Sequence, residues 1–585
     1  MRRIVPVLFL ALPLASFAAS DFADAAMRDD AAAVKKLIDQ HADVNAPQND
    51  GATALHWAVF QGDRDMVELL LHAGANPRAA NREGSTPLWL ACIDGDAVIV
   101  SELLAAGADA NEKLPDGRTP LMIAARTGSV DAIKVLLDHG AQVNVKETLR
   151  GTTPIMWAAD QGHAAAIKTL IDAGADISAK SDPAERGRGP ALGKANDPRQ
   201  AVARQGAALA SGQPSPGLGG GDGRGAGRSG RGGGRGNPVA TADGADNSDD
   251  AALASVGFAG GGRGRGGAKD GGALTPLVYA VLSDDLESVK ALVAAGADVN
   301  ETTGYGWSPL LVATQNRFYK IGAYLLEHGA DVNLANKGAW TPLYLATDNR
   351  NIESGDYPVR KPDMDHLDYI KLLLDKGANV NARIKDSTET RTVFTNQWLD
   401  ENGATAFLRA SQSGDIELMK LLLAHGADPK IDTVLHVTAL QVAAGIGWVE
   451  GITYEWSPES TFQACKMLLD LGLDANAQAD TGRAALHGAA HKGRTDVIQL
   501  LADHGAKLNV RDYGNTDNRG GKLAIHTWEA IDYADGLVRV GVQSAIGHPE
   551  AAALLRKLMT AQGLPTPPEG RTLESICITE ACATD

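Results

Sequence analysis

The chain alternates short apolar helical segments with glycine-containing turns, and this alternation has a regular period. The glycines that open successive segments are Gly51, Gly84 and Gly117, each 33 residues apart, and the next is Gly151, 34 residues on. A period of this length is typical of a solenoid, in which one repeat is a supersecondary unit that cannot bury its apolar face alone. The sequence therefore predicts a stack of repeats.

The repeat that opens at Gly84 shows how one unit is built. Thr86 can cap the first helix, and Pro87 suits the first helical position because an N–H group there has no helical partner. After a short break, Ala97 to Ala106 places apolar side chains at helical spacing and predicts a second helix. Gly107 ends that helix because glycine adopts the left-handed conformation at little cost. One repeat is therefore predicted to be helix, turn, helix and projecting turn.

This pattern (G-x-T-P-L, then A, G, L-L, G-A and N) recurs in register many times and resembles the ankyrin repeat. The resemblance implies an all-α fold, an ankyrin-repeat solenoid of stacked helix-turn-helix units with projecting hairpin-like turns. We expect about eleven or twelve repeats. The resemblance also implies the general role of the family, which is to bind other proteins as a scaffold or adaptor without catalysis. It does not select a partner, because one fold serves many functions.

Changes in composition divide the chain into five parts. Few aromatic or β-branched residues occur in the Gly/Arg-rich part, which we therefore predict to be disordered. The repeat register is nearly intact across it, so we predict that the two arrays form one continuous stack. The parts are a signal peptide (1–20), a first ankyrin array (21–181), the Gly/Arg-rich insertion (182–272), a second array with insertions (273–561) and a C-terminal tail (562–585).

The second array is less regular than the first. Residues from Arg350 to Met364 enter between the two helices of one repeat, and a similar insertion runs from about Gly447 to Glu459. A third insertion, Arg383 to Asn402, enters at a projecting turn. We predict that this third insertion extends the surface that binds a partner.

The N-terminal residues have the features of a secretory signal peptide. Arg2-Arg3 supplies a positive start, Ile4 to Ala15 is a short apolar run, and Ser16-Phe17-Ala18 or Ala18-Ala19-Ser20 offers small residues for cleavage. The apolar run is too short to span a bilayer. We therefore expect an exported protein, periplasmic or secreted, with no membrane span after the signal is cleaved.

Charge and cysteine content narrow the possible partners. The chain has 585 residues and a net charge of −17, which argues against nucleic acid as the main partner. The Arg-Gly runs of the insertion keep RNA binding as an alternative. Four cysteines do not make a disulfide framework, but Cys577 and Cys582 could form a short-loop disulfide in an exported protein. Cys92 and Cys465 fall at predicted core positions.

No catalytic motif is found, so the sequence predicts neither an enzyme nor a cofactor or metal site. Five histidines occupy one slot before the Gly-Ala that ends the second helix, where a cation is favourable, and two more occupy a slot for a local hydrogen bond. These seven are His72, His139, His328, His425 and His504, then His56 and His487. His487 and His491 could share a helix face as metal ligands, but no third ligand is evident.

An enzyme or ligand-binding protein with a site in the irregular second array remains an alternative function. The residues around which such a site would form are Tyr344, His366, His436 and Glu455. Perturbed pKa values in convergent carboxylates would be its first sign.

The favoured function is protein binding, and two groups of residues are its candidates. By resemblance, the ends of the first helices line the concave face: Phe60, Gln61, Asp94, Arg126, Asp160, Gln161, Gln315, Asn316, Asp348, Asn349, Gln412 and Ser413. Five tryptophans form the second group. Trp57, Trp89 and Trp157 lie in first helices. They either pack in the core or form an aromatic binding patch. Trp307 and Trp340 lie on projecting turns and are predicted to be exposed.

Overall fold

The computed structural model describes residues 21–182, 272–351, 360–385, 399, 401–450, 453–514, 527–538, 540 and 546–572. Within these residues the regular elements are α-helices, and the β pairing is one isolated bridge between Arg511 and Glu529. The prediction of an all-α chain of helix pairs is confirmed. The signal peptide, most of the Gly/Arg-rich insertion, residues 386–398 and the cysteine pair of the tail lie outside the described residues.

The described chain divides into two compact units, of which the first comprises residues 21–182 and 272–304. Its first helices pack on one another in chain order, and so do most of its second helices. Its helices are α1 (Asp21–Met27), α2 (Ala31–Asp39), α3 (Ala54–Phe60), α4 (Arg64–His72), α5 (Pro87–Asp94), α6 (Ala97–Ala105), α7 (Pro120–Thr127), α8 (Val130–Asp138), α9 (Pro154–Asp160), α10 (Ala164–Asp172), α11 (Pro276–Leu282) and α12 (Leu286–Ala294).

The second unit comprises the described residues from Tyr305 onward and repeats the same helix pairing. Its helices are α13 (Pro309–Gln315), α14 (Tyr319–Glu327), α15 (Pro342–Arg350), α16 (His366–Asp375), α17 (Ala406–Ser413), α18 (Ile416–Ala424), α19 (Ala439–Ala444), α20 (Pro458–Asp470), α21 (Ala485–His491), α22 (Thr495–Asp503), α23 (Ala530–Ala534) and α24 (Pro549–Ala561).

The helix boundaries follow from the capping residues of each repeat. The Thr86 hydroxyl accepts the N–H of Trp89 at 3.2 Å, and Pro87 stands at the first position of α5, as predicted. Gly95 ends α5 with a φ of 69°, a left-handed conformation that costs glycine little. The Asp96 carboxylate then caps α6. The core of this repeat is the fully buried apolar side chains between the two helices, namely Leu88, Ala91, Cys92, Ile99, Val100, Leu103 and Leu104.

A series of asparagines joins neighbouring repeats on the side of the second helices. Asn111 donates its Nδ2 to the carbonyl of Gly140 at 2.8 Å, while its Oδ1 accepts the N–H of Gln142 at 2.8 Å. Each residue of the series therefore satisfies a carbonyl at the end of the next second helix, which would otherwise lack a partner. The same pair of bonds is made by Asn45, Asn144, Asn333, Asn381 and Asn476.

Replacing Asn111 by alanine is expected to lower the free energy of unfolding of the first unit by about 1–3 kcal/mol. The change removes two solvent-exposed hydrogen bonds, each of which contributes about 0.5–1.5 kcal/mol. Urea unfolding followed by circular dichroism measures the loss. Lys134→Ala, on the exposed face of α8, is the matched control and should stay within about 0.5 kcal/mol of the wild type. Equal stability of the two variants would contradict the role of the asparagine series.

The first unit is continuous across the Gly/Arg-rich insertion. Helix α11 packs on α9, and α12 packs on α10. The Ser181 N–H donates to the carbonyl of Leu274 at 3.0 Å, and the Leu274 N–H donates to the Ser181 hydroxyl at 2.9 Å. The repeat after the insertion thus stacks on the repeat before it. A continuous stack through both units remains a prediction.

Candidate functional site

The last turn of each first helix supplies one structurally equivalent position in every repeat. In the first unit these positions follow the 33- and 34-residue period of the sequence: Met27, Phe60, Ile93, Arg126 and Asp160. The first three side chains are apolar yet exposed, at 41%, 63% and 48%. Large exposed apolar surfaces on soluble proteins mark interaction sites. We call Met27, Phe60 and Ile93, together with the half-buried Trp57 and Leu90 one turn earlier, the apolar stripe.

Sequence reasoning identified only part of this stripe. It proposed Trp57 and Phe60 but missed Met27 and Ile93. Counting 33 residues to either side of Phe60 would have found both. The atypical first repeat hid Met27, and the polar Asp94 was chosen over its apolar neighbour.

Side-chain contacts hold the first end of the stripe in place. The rings of Trp57 and Phe60 meet edge to face with centroids 5.9 Å apart. The Trp57 Nε1 donates to Gln48 Oε1 at 2.7 Å, and the Gln61 Nε2 donates to the carbonyl of Met27 at 2.9 Å. The structure thus brings together the predicted residues Trp57, Phe60 and Gln61. A pre-ordered surface loses less entropy when it binds.

Arginines stack on the other two tryptophans of the first unit. The guanidinium carbon of Arg126 lies 5.9 Å from the ring centroid of Trp157, which is half-buried. Arg118 lies 5.3 Å from the ring centroid of Trp89, which is 5% exposed. Of the two interpretations of the tryptophans, core packing thus fits Trp89, whereas Trp57 and Trp157 keep exposed edges.

The polar candidates of the first unit lie beside these aromatic residues. Asp94 is exposed at the end of α5, where partial burial and the nearby Asp96 raise its pKa. Gln161 is exposed next to Asp160 and donates to its carboxylate at 3.0 Å. Partner binding by all these residues remains a prediction.

In the second unit most of the predicted surface positions are buried, and the prediction that Asp348 lines an exposed face is wrong. Asp348 is 4% exposed, and its carboxylate accepts Arg409 Nε at 2.7 Å. Arg409 also donates to the Ser413 hydroxyl and to the carbonyl of Asn351. The predicted surface residues Asn349, Gln412 and Ser413 are buried as well.

The cover comes from the insertions between helices. Trp456, which follows α19, donates its Nε1 to Asn351 Oδ1 at 3.0 Å, and Arg350 stacks on its ring at 4.5 Å. Trp448, from the same insertion, lies edge to face on His491 with centroids 6.0 Å apart. The remaining candidates, Gln315 and Asn316, are half-buried, and Asn316 donates to the carbonyl of Val312 within its own helix.

The prediction that Trp307 and Trp340 are exposed on projecting turns is also wrong. They are 8% and 0% exposed. Trp340 packs edge to face on Tyr344 of α15, with centroids 4.8 Å apart. The Lys337 N–H donates to the carbonyl of Tyr305 at 3.1 Å, which joins this turn to the preceding one. Adjacent turns therefore cover each other, and the tryptophans are packing residues there.

The residues named for a possible enzyme site make separate local contacts. Tyr344 packs on Trp340, and His366 bonds through Nδ1 to the hydroxyl of Tyr319 at 2.8 Å. Burial, aided by nearby arginines, lowers the pKa of His366 to about 4. His436 bonds to the Asp432 carboxylate at 2.9 Å. Glu455 forms an ion pair with Lys492. Each of these four side chains therefore has a packing or pairing partner of its own, and these contacts do not join the four into one site.

The structural roles predicted for seven histidines are confirmed. His139, His328, His425 and His504 directly follow their second helices, whereas His72 is the last residue of α4, one position earlier than predicted. Each of these five donates from Nδ1 to the carbonyl four residues earlier, as His72 does to Glu68 at 2.9 Å. In the second slot His487 Nδ1 accepts the N–H of Ala484 at 3.0 Å, and its Nε2 reaches the carbonyl of Trp528 in the next repeat. His56 makes the equivalent bonds.

The described part of the chain has neither a cluster of metal ligands nor a helix that could span a membrane. Among those residues, no group of three or more His, Cys, Asp and Glu side chains is arranged to hold a metal ion. No described helix is long and apolar enough to cross a membrane. Cys92 and Cys465 are buried free thiols, as their core positions predicted.

Glu112 gives the first unit a pH-dependent contact. Its carboxylate accepts a hydrogen bond from the Thr86 hydroxyl at the start of α5, and burial raises its pKa to about 7. Because the folded state binds the Glu112 proton more tightly than the unfolded state, the stabilisation from this carboxyl is fully present below about pH 4.5 and is lost as the pH rises through 7. Glu112→Gln should therefore match the wild type at pH 4.5 but unfold at a higher urea concentration than the wild type at pH 8.

The exposed turn residue Glu83 supplies the control for this prediction. Glu83→Gln should leave the change in the urea midpoint of unfolding between pH 4.5 and pH 8 as it is in the wild type. If the urea midpoint of Glu112→Gln also changed between the two pH values as in the wild type, the assignment of this pH dependence to Glu112 would be wrong.

Comparisons with known proteins agree with the repeat architecture. A family model described as ankyrin repeats (3 copies) matches residues 22–113, 88–181, 277–384 and 456–525, more than half of the chain. A model of the single ankyrin repeat matches residues 402–434.

Individual relatives match over shorter stretches. A probable E3 ubiquitin-protein ligase, XBOS33, from Oryza sativa subsp. japonica is 29% identical over 184 residues, which are 26% of this chain and 32% of the relative. Protein phosphatase 1 regulatory subunit 27 from Homo sapiens is 43% identical over 53 residues, which are 9% of this chain and 34% of that protein, and the Mus musculus protein matches equally. This chain thus spans about a third of the length of these relatives.

Proposed function

Since this chain belongs to the ankyrin-repeat family, we propose that it is a non-catalytic scaffold whose first unit binds a protein partner through the apolar stripe. The observation that carries the proposal is the exposure of three large apolar side chains at equivalent positions of successive repeats, Met27, Phe60 and Ile93. Aromatic and large apolar anchors within a polar surface are typical of interface hot spots. The regulatory subunit among its relatives is compatible with a binding role.

Site-specific cross-linking tests this proposal. A photoreactive phenylalanine at position 60 of the full chain should give one or a few discrete protein adducts in the cells that express it. Leu149, an apolar residue of a projecting turn that is 76% exposed, is the matched control position. A cross-linker there should give no such adduct. The proposal fails if position 60 gives no adduct, or the same adducts as position 149.

We propose further that the protein is exported, because residues 1–20 have the charge and apolar pattern of a signal peptide. The expected result is a mature protein outside the cytoplasm whose N-terminus, determined by sequencing, lies between Ser16 and Asp21. A control chain with Ile4 to Ala15 deleted should stay in the cytoplasm. Recovery of the wild-type chain from the cytoplasm with Arg2-Arg3 intact would overturn this proposal.

A further inference from the structure

We infer that the occupant of the apolar stripe is an amphipathic α-helix of the partner, apolar along one seam and rich in lysine and arginine elsewhere. This inference rests on the proposed function and names the kind of partner it requires. Three properties of the first unit support it: the spacing of the stripe along the stack, its width, and the charge that surrounds it.

The spacing of the stripe matches the rise of a helix. Packed helices lie about 8–10 Å apart, so Met27, Phe60 and Ile93, on three successive first helices, follow one another at about that interval. An α-helix rises 1.5 Å per residue, so its residues i, i+7 and i+14 are about 10.5 Å apart on one face. A helix that crosses α1, α3 and α5 can therefore place one apolar residue against each of them.

The width of the stripe favours a helix over an extended peptide. Trp57 and Leu90 precede Phe60 and Ile93 by three residues, so they form a second apolar row one helical turn away, at about 5–6 Å. The a and d positions of an amphipathic helix also form two rows. An extended strand turns successive side chains to opposite faces, so it can fill only one of the rows at each step.

The charge of the first unit selects a basic helix. Residues 21–182 carry 24 aspartates and glutamates against 14 lysines and arginines. Asp94 is exposed directly after Ile93, where a partner lysine or arginine can pair with it. A second copy of this chain, or a membrane of anionic lipid, would meet charge of the same sign. A partner helix with lysine and arginine on both sides of its apolar seam complements this surface.

A designed peptide tests the inference with the full chain. The probe is a labelled helix of about three heptads, with leucine at a and d and lysine elsewhere, and its binding is measured by fluorescence anisotropy. We expect saturable binding that the double variant Phe60→Ala/Ile93→Ala weakens by about tenfold or more. Leu149→Ala should change it by less than about twofold. Asp94→Asn should weaken binding and reduce its dependence on salt. Because Phe60, Ile93 and Leu149 are exposed, we expect unchanged circular dichroism.

Control peptides separate the chemical features of the occupant. A peptide of the same composition with scrambled leucines, one with glutamate for lysine, and a proline-containing extended peptide with the same charge should each bind at least about tenfold more weakly. Equal binding of any of these, or no effect of the double variant, would overturn the inference. Cross-linking at Phe60 to a partner that lacks a basic helix would also overturn it, while the proposed scaffold function would stand. If neither the peptide nor the cross-link gave a specific signal, both would fall.

Discussion

Replacing Asp348 by alanine is expected to lower the free energy of unfolding of the second unit by about 3–5 kcal/mol. The variant would leave the Arg409 guanidinium buried, and among the described residues its remaining acceptors would be the neutral oxygens of Ser413 and Asn351. Removal of one partner from a buried ion pair is costly, because the remaining charge has lost both water and its counter-ion. Urea unfolding followed by tryptophan fluorescence, which Trp448 and Trp456 in this unit report, measures the loss.

Two further variants determine whether the unpaired charge is the cause. Asp348→Leu combined with Arg409→Met removes both charges and should recover most of the lost stability. Arg64→Ala breaks the exposed pair with Asp96, where Arg64 is 55% exposed, and should cost less than about 1 kcal/mol. If the double variant were as unstable as Asp348→Ala, the loss would come from packing instead.

Replacing Gly488 by alanine is expected to destabilise the same unit by about 1–3 kcal/mol. Gly488 lies inside α21, where alanine normally stabilises a helix by about 1 kcal/mol relative to glycine. Here an added Cβ would lie 2.7 Å from the backbone nitrogen of Ile446 and 2.9 Å from the carbonyl carbon of Gly445. These contacts are closer than van der Waals separation, and because backbone atoms make them they cannot be relieved by a rotamer change.

The sign of this effect distinguishes close packing from helix propensity. Thermal unfolding should show a lower midpoint for Gly488→Ala, whereas propensity alone predicts a higher one. Gln499→Ala in the adjacent α22 is a control for a half-buried helical position and should stay within about 0.5 kcal/mol of the wild type. A raised midpoint for Gly488→Ala would show that the insertion after α19 can move away from α21.

The periodic part of the fold could be predicted from the sequence, because each repeat contains its own signals. Thr86, Pro87 and Gly107 lie at helix boundaries whatever the rest of the chain does. The same regularity located Phe60 and Arg126 at equivalent positions of the first unit, and Asp94 directly after the equivalent position of the repeat between them. The apolar stripe as a set was missed, because the atypical first repeat hid Met27 and the polar Asp94 was chosen over Ile93.

The second unit shows where such prediction stops. Asp348 is buried beside Arg409, which lies 61 residues later, and the insertion that carries Trp456 packs over the end of α15. Trp340 packs on Tyr344 in the helix that follows it, and its turn is joined to the preceding turn, which one repeat considered alone does not show. The burial of Asp348 involves residues distant in sequence, so periodicity alone cannot supply it.

The packing of α11 on α9 has a consequence for the free energy of chain closure. Most neighbouring repeats are joined by connections of a few residues, whereas this pair is joined by residues 183–271. The composition of this connection predicts a flexible chain. For a flexible chain the entropy lost on closure rises by only about 0.6 kcal/mol for each doubling of its length, so a connection of this length would cost about 2 kcal/mol more than one of about ten residues. Halving or doubling it would change that cost little. The length of the connection is therefore under weak energetic constraint, provided that its two ends still meet at Ser181 and Leu274.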